Sequence, residues 1–147
     1  MKIREAMTPN PVFCTPSDTA QKAAQMMRDQ NVGALPVVSD RESCQLLGMI
    51  TDRDLCIAII ADGLDAKKTT VEAFVTADPI VCREGENLDE AERAMQTHQV
   101  RRIPVVDGDG RCIGIVSQAD LALRDKPEKV GKTVAEVSKP EPSLKIA

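Results

Sequence analysis

The sequence is written twice, and that repetition constrains the fold more than any other feature. Shifting the chain by 68 places sets Pro11 on Pro79, Val12 on Ile80, Cys14 on Cys82, Ala23 on Ala91, Met27 on Met95 and Val32 on Val100. Pro36-Val37-Val38 falls on Pro104-Val105-Val106 by the same shift. After this shared tripeptide the offset drops to 66: Gly48-Met49-Ile50-Thr51 matches Gly114-Ile115-Val116-Ser117, and Asp54-Leu55 matches Asp120-Leu121. The deleted pair falls in a polar turn, Ser39 to Gln45 against Asp107 to Arg111, where length changes cost least.

Each copy predicts the order β-α-β-β-α. Val12 to Thr15 reads as a short strand, and Thr19 to Gln30 as a helix whose apolar face holds Ala20, Ala23, Ala24 and Met27; Leu88, Ala91 and Met95 repeat that face. Leu35 to Val38 and Leu46 to Thr51 are β-rich runs joined as a hairpin, and Asp52 to Ala61 resumes a helical pattern. About 60 residues with three strands and two helices are marginal alone, so the copies are expected to pack on each other with approximate twofold symmetry, as one α/β module. The expected divisions are residues 1–66, 67–126 and a tail, 127–147. Lys2 to Met7 and Thr70 to Val75 read as short helical leaders to the two repeats. A third echo, Thr133 to Pro140, predicts a short helical cap at 133–138 before a fraying end, Glu141 to Ala147.

Composition narrows the function. A net charge of −4 offers no global field for nucleic acid or an anionic membrane, and two Phe with no Trp or Tyr leave no stacking platform for bases. No apolar run is long enough to span a bilayer. Five cysteines without a C-x-x-C pair and without a leader in front argue for reduced thiols in the cytoplasm. No nucleophile elbow, phosphate loop or His-carboxylate cluster supports catalysis, so the chain reads as a non-enzyme.

The pattern M-T-x-x-P-V, helix, V-x-x-h-P-V-V, turn, G-h-h-[ST]-x-x-D-L resembles the CBS domain, and its double occurrence resembles the paired arrangement called a Bateman module. Met7-Thr8, Val32 to Val38 and Gly48 to Leu55 carry it first; Val75-Thr76, Val100 to Val106 and Gly114 to Leu121 carry it again. The resemblance covers roughly residues 1–125. It implies a regulatory module without an obligatory cofactor that binds AMP, ADP, ATP or S-adenosylmethionine in clefts between the repeats. It also implies a homodimer using exposed helical faces, and action on its own oligomer or on a separate protein partner.

Within that resemblance, Asp54 and Asp120 accept hydrogen bonds from ribose hydroxyls, while Thr51, Ser117 and free amides at the helix starts face ribose or phosphate. A first cleft would combine Thr51, Arg53 and Asp54 with Ile80, Val100, Arg101, Arg102 and Pro104. A second, weaker one would combine Ser117 and Asp120 with Thr8, Val12, Val32, Gly33, Ala34 and Pro36. Three arginines in the first favour phosphate, since charge-assisted contacts are about twice as strong as neutral ones. The same S/T-x-x-D element also reads as a helix capping box, and an unliganded site can cap itself and release the Asp to ribose.

Other features read more plainly. His98 ends a helix, where a cation suits the dipole. Met26, Met27, Met49 and Met95 read as core filler. Cys14 and Cys82 sit at equivalent strand positions as small core residues, with a redox pair or a soft-metal site with His98 as the rival reading. Two other functions stay open: a ligand-free dimerisation or adaptor module, and a thiol- or metal-responsive protein.

Overall fold

The computed structural model describes residues 1–140, so the expected fraying of Glu141 to Ala147 lies outside the described residues. In chain order the elements are α1 (Ile3–Ala6), β1 (Thr8–Pro9), α2 (Ala20–Gln30), β2 (Ala34–Val38), β3 (Leu46–Thr51) and α3 (Asp52–Leu55). A π-helical stretch, Cys56–Ala61, and a 3-10 turn, Val71–Ala73, follow. Next come β4 (Thr76–Ala77), β5 (Cys82–Arg83), α4 (Leu88–His98), β6 (Arg102–Val106), β7 (Cys112–Ser117), α5 (Gln118–Arg124) and α6 (Pro127–Val137).

The chain divides into two compact units. The first-repeat unit holds Asn10–Pro79 with the turn Val106–Ile113; the second-repeat unit holds Met1–Pro9, Ile80–Val105 and the described residues from Gly114. Each leader therefore packs with the repeat other than the one it precedes. The hydrogen bonds show the exchange in duplicate. Ile3 and Arg4 donate to the Glu86 and Glu84 carbonyls, as their equivalents Val71 and Glu72 donate to those of Asp18 and Pro16. Each leader then adds a two-residue strand. Thr8 pairs with Ile115 and Pro9 with Gly114, giving the sheet order β1-β7-β6-β5; Thr76 pairs with Met49 and Ala77 with Gly48, giving β2-β3-β4.

These added strands explain two glycines of the motif. A Cβ on Gly48 would run into the Thr76 carbonyl oxygen, and one on Gly114 would meet the Met7 sulfur. The hairpin of the first repeat aligns Ala34 with Thr51 and Leu35 with Ile50, with a register shift at Val37/Val38. Val12 to Thr15 forms no strand; only Cys14 bridges β2, donating to the Pro36 carbonyl and accepting from Val38.

The first-repeat core gathers Cys14, Ala20, Ala23, Met27, Leu35, Val37, Ile50, Leu55 and Val71, with Met26 partly buried against it. Ala24, expected on that face, is exposed. Its equivalent in α4 is Glu92, which is only 4% exposed. The difference lies in α6, which covers α4 and buries that position. Alanine suits a helix whether buried or not, so its place in the periodic pattern does not require a core position. The α6 helix starts six residues before the expected cap, with Pro127 in its first turn, where a missing N–H costs nothing.

The α4–α6 contact is polar inside. Buried Thr133 donates to the Glu92 carboxylate at 2.7 Å and accepts from Gln96 at 2.8 Å. Gln99 donates to the carbonyls of Glu136 and Lys139. The Lys129 ammonium reaches Asp89, Glu92 and Asp125 at 2.7, 3.2 and 3.0 Å. In α2 the equivalents of Glu92, Gln96 and Gln99 are Ala24, Arg28 and Asn31, all exposed.

Candidate functional site: twin capping boxes

β3 and β7 each end on a hydroxyl residue that still has extended backbone, Thr51 at φ −116°, ψ 163° and Ser117 at φ −125°, ψ 164°. That geometry lets the hydroxyl oxygen turn onto the first helical turn. Thr51 Oγ1 accepts from the Asp54 amide at 3.1 Å, and the Thr51 amide donates to Asp54 Oδ2 at 2.9 Å. Ser117 Oγ accepts from the Asp120 amide at 3.3 Å; the Ser117 amide and hydroxyl donate to Asp120 Oδ2 at 2.7 and 2.8 Å. Both elements thus form the reciprocal box that the sequence allows.

Three of the helix-start amides have partners within the chain. Asp52 donates to the Gly33 carbonyl at 3.0 Å, and Gln118 to its equivalent, that of Arg101, at 2.9 Å. The Arg53 amide is held by Asp52 Oδ1. The carboxylates retain capacity: Asp54 and Asp120 are half-buried, and the Oδ1 of each has no hydrogen-bond partner among the described residues. Releasing a capping side chain costs roughly 1 kcal/mol, whereas a hydrogen bond to a charged group contributes about 1.5–3 kcal/mol. The cap is therefore weak enough for an external pair of hydroxyl donors to displace.

The remaining expected residues divide between the units. Thr51, Arg53 and Asp54 lie in the first-repeat unit; Ile80, Val100, Arg101, Arg102 and Pro104 lie in the second-repeat unit. Thr8, Ser117 and Asp120 share the second-repeat unit, where Thr8 pairs with Ile115 beside Ser117; Val12, Val32, Gly33, Ala34 and Pro36 belong to the first-repeat unit. Arg53, Arg101 and Arg102 are exposed, and none is in an ion pair with a described residue. Within its own unit, the Arg101 carbonyl meets the Gln118 amide, the residue after Ser117, and the Gly33 carbonyl meets the Asp52 amide, the residue after Thr51. Val32 is 43% exposed, and Pro36 and Pro104 are buried in their strands.

The thiol reading of Cys14 and Cys82 meets a physical obstacle. Burial, with Asp18 nearby, pushes the Cys14 thiol up to about 12; burial, with Glu86 and Glu90, pushes Cys82 up to about 11. Both stay protonated at neutral pH, and they lie in different units. His98 ends α4, exposed. Three carboxylates, Asp89, Glu92 and Asp125, do converge within 4.8 Å, but the Lys129 ammonium already supplies the cation among them. That cluster is scattered across α4 and the loop before α6, so no sequence spacing marks it.

Comparison with known proteins agrees with the duplicated motif. The CBS domain family profile matches residues 3–61 and 71–125. YlbB of Bacillus subtilis is 37% identical over 138 residues, 93% of this chain and 91% of that protein. The crystal structure of Hypoxic Response Protein I with two coordinated zinc ions is similar at TM-score 0.76 and 34% identity, covering 86% of this chain and all of that one. That of CBSX2 in complex with AMP is similar at TM-score 0.68 and 26% identity, over 94% and 98% of the two chains. Two repeats with one strand–cap–helix signature, two family matches and whole-length relatives lead to one conclusion: this chain belongs to the CBS domain family and carries two CBS repeats.

Proposed function

We propose that the chain is a non-catalytic regulatory module that binds an adenine nucleotide, with Asp54 and Asp120 accepting the ribose hydroxyls and Arg53, Arg101 and Arg102 meeting the phosphate. The observation that carries this reading is the pair of self-satisfied capping boxes, each holding a half-buried carboxylate with one oxygen still available. Three exposed arginines outside any ion pair with described residues support an anionic group on the ligand. The similarity to CBSX2, solved with AMP, supports the nucleotide class. A near-absence of aromatic residues implies that the base is held by aliphatic walls and backbone groups.

The test is isothermal titration of nucleotide-stripped protein with AMP, ADP, ATP and S-adenosylmethionine. Saturable binding weakened about ten- to hundredfold by Asp54→Asn or Asp120→Asn is expected, the equivalent of losing one or two charge-assisted hydrogen bonds. Arg101→Ala with Arg102→Ala should weaken the phosphorylated ligands more than S-adenosylmethionine. Combining that double variant with each aspartate variant assigns the arginines to one carboxylate: the pair acting on one ligand is non-additive. No heat with any of the four, and no thermal stabilisation, would overturn the reading in favour of a ligand-free adaptor.

A further inference from the structure

The two polar hairpin turns meet edge to edge within the first-repeat unit. Gln45 and Arg111, equivalent residues of the two repeats, form an antiparallel bridge; Leu46 donates to the Gly110 carbonyl at 3.2 Å and Cys112 to the Cys44 carbonyl at 3.0 Å. In an antiparallel ladder this register sets Cys44 directly opposite Cys112. Directly opposed residues have Cα atoms about 4.5–5.5 Å apart, inside the roughly 4.4–6.8 Å span that a disulfide bridges.

The backbone at Cys44 is unusual. Its φ is +51°, and its counterpart in the second repeat is Gly110 at φ +80°. The left-handed region suits glycine and disfavours a residue with a Cβ, so a cysteine there carries strain that glycine avoids. Its sulfur lies 3.3 Å from the Arg41 carbonyl, a contact that a link to the facing strand would have to replace. Both Cys44 and Cys112 are partly exposed, unlike Cys14 and Cys82.

We propose that Cys44 and Cys112 are a redox modification site that closes to an intramolecular disulfide under hydrogen peroxide and reopens with a dithiol reductant. One thiolate attacks a peroxide oxygen: the O–O bond breaks, water leaves after proton transfer, and a sulfenic acid forms. The second thiolate attacks that sulfur, the S–O bond breaks, the S–S bond forms and a second water leaves. Two thiols lose two electrons, and one peroxide becomes two waters. The bond ties together the starts of β3 and β7, the strands whose far ends carry the two capping boxes. The assignment stands on strand register and does not depend on nucleotide binding.

The experiment treats the reduced full chain at low concentration with hydrogen peroxide, blocks remaining thiols with N-ethylmaleimide and maps tryptic peptides. Cleavage after Arg41, Arg53 and Arg111 separates Cys44, Cys56 and Cys112 into different peptides. The expected product is monomeric, links the Cys44 peptide to the Cys112 peptide in most chains, and is reversed by dithiothreitol. Cys56→Ser, which removes the exposed competing thiol, should form the same link; Cys44→Ser should lose it and leave Cys112 alkylated. Alkylation of Cys44 and Cys112 after peroxide, their overoxidation without a link, or links only between chains would overturn the proposal.

Discussion

Replacing Gly48 with alanine places a methyl group against the Thr76 carbonyl oxygen, 2.7 Å from Val75 Cγ2 and 3.2 Å from the Thr76 carbonyl carbon. Two of these atoms are backbone, so no rotamer change relieves the overlap, and β4 has to move away from β3. β4 is two residues long, held in register only as Gly48 with Ala77 and Met49 with Thr76. Losing two ladder bonds costs about 2 kcal/mol, and overpacking adds about 1 kcal/mol at its lower end. The alanine regains about 0.4–1 kcal/mol by restricting the unfolded chain. A net destabilisation of about 2–2.5 kcal/mol follows, about 5–10 °C in Tm for a chain of this size. Gly85→Ala is the control: nothing lies within 4 Å of its added Cβ. Urea unfolding of both variants provides the comparison. A Gly48→Ala protein within about 0.5 kcal/mol of Gly85→Ala would refute the argument that close approach of β4 fixes this glycine.

Three further outcomes are expected. Thr133→Val removes the hydroxyl that donates to buried Glu92, and thermal unfolding should report a loss of about 1–3 kcal/mol, the cost of an unsatisfied buried acceptor. The Lys126 amide, then Lys129, hold the Asp125 carboxyl below its ordinary value of 3.8. Stability from this group is therefore complete above that value and lost as pH falls through the lower folded one, so a Tm–pH profile of Asp125→Asn should lose part of the acid-side decline. Alkylation of the native protein by iodoacetamide at pH 8 should modify Cys44, Cys56 and Cys112 while sparing Cys14 and Cys82, whose thiols sit at about 12 and 11; urea should expose all five, as intact mass would show.

Much of this arrangement can be read from residues alone, because local physics dictates it. The hydroxyl at the end of β3 or β7 and the aspartate three places on cap one another wherever a strand meets a helix. Periodicity places Ala20, Ala23 and Met27 inside, and the hairpin Ala34–Val38 with Leu46–Thr51 follows from β-branched runs around a polar turn. What is hidden depends on partners distant in sequence. Thr8–Pro9 is too short to announce a strand, and nothing local says which sheet edge it joins. Glu92 reads as a surface residue of α4 until Thr133 and Lys129 arrive from α6. The π-helical turn at Cys56–Ala61 keeps the apolar composition of a helix while changing its pitch, so a pattern based on 3.6 residues per turn passes over it.

The exchanged leaders also fix an order of events in synthesis. Residue 8 finds its sheet partner at residue 115, so α1 and β1 can close their unit only after the chain has been made as far as β7. Until then α1 and β1 have no edge to join, and closing a loop of roughly a hundred residues adds an entropic toll that grows with the logarithm of its length. The unit formed by Asn10–Pro79 is more nearly continuous and can collapse earlier, lacking only its late turn from Val106 to Ile113. A nascent chain should thus pass through a stage in which one half is structured and the N-terminal segment trails, exposing Ile3 and Ala6. A cut at the apparent repeat boundary would strand each leader on the wrong fragment, so two such fragments should regain native structure only when mixed.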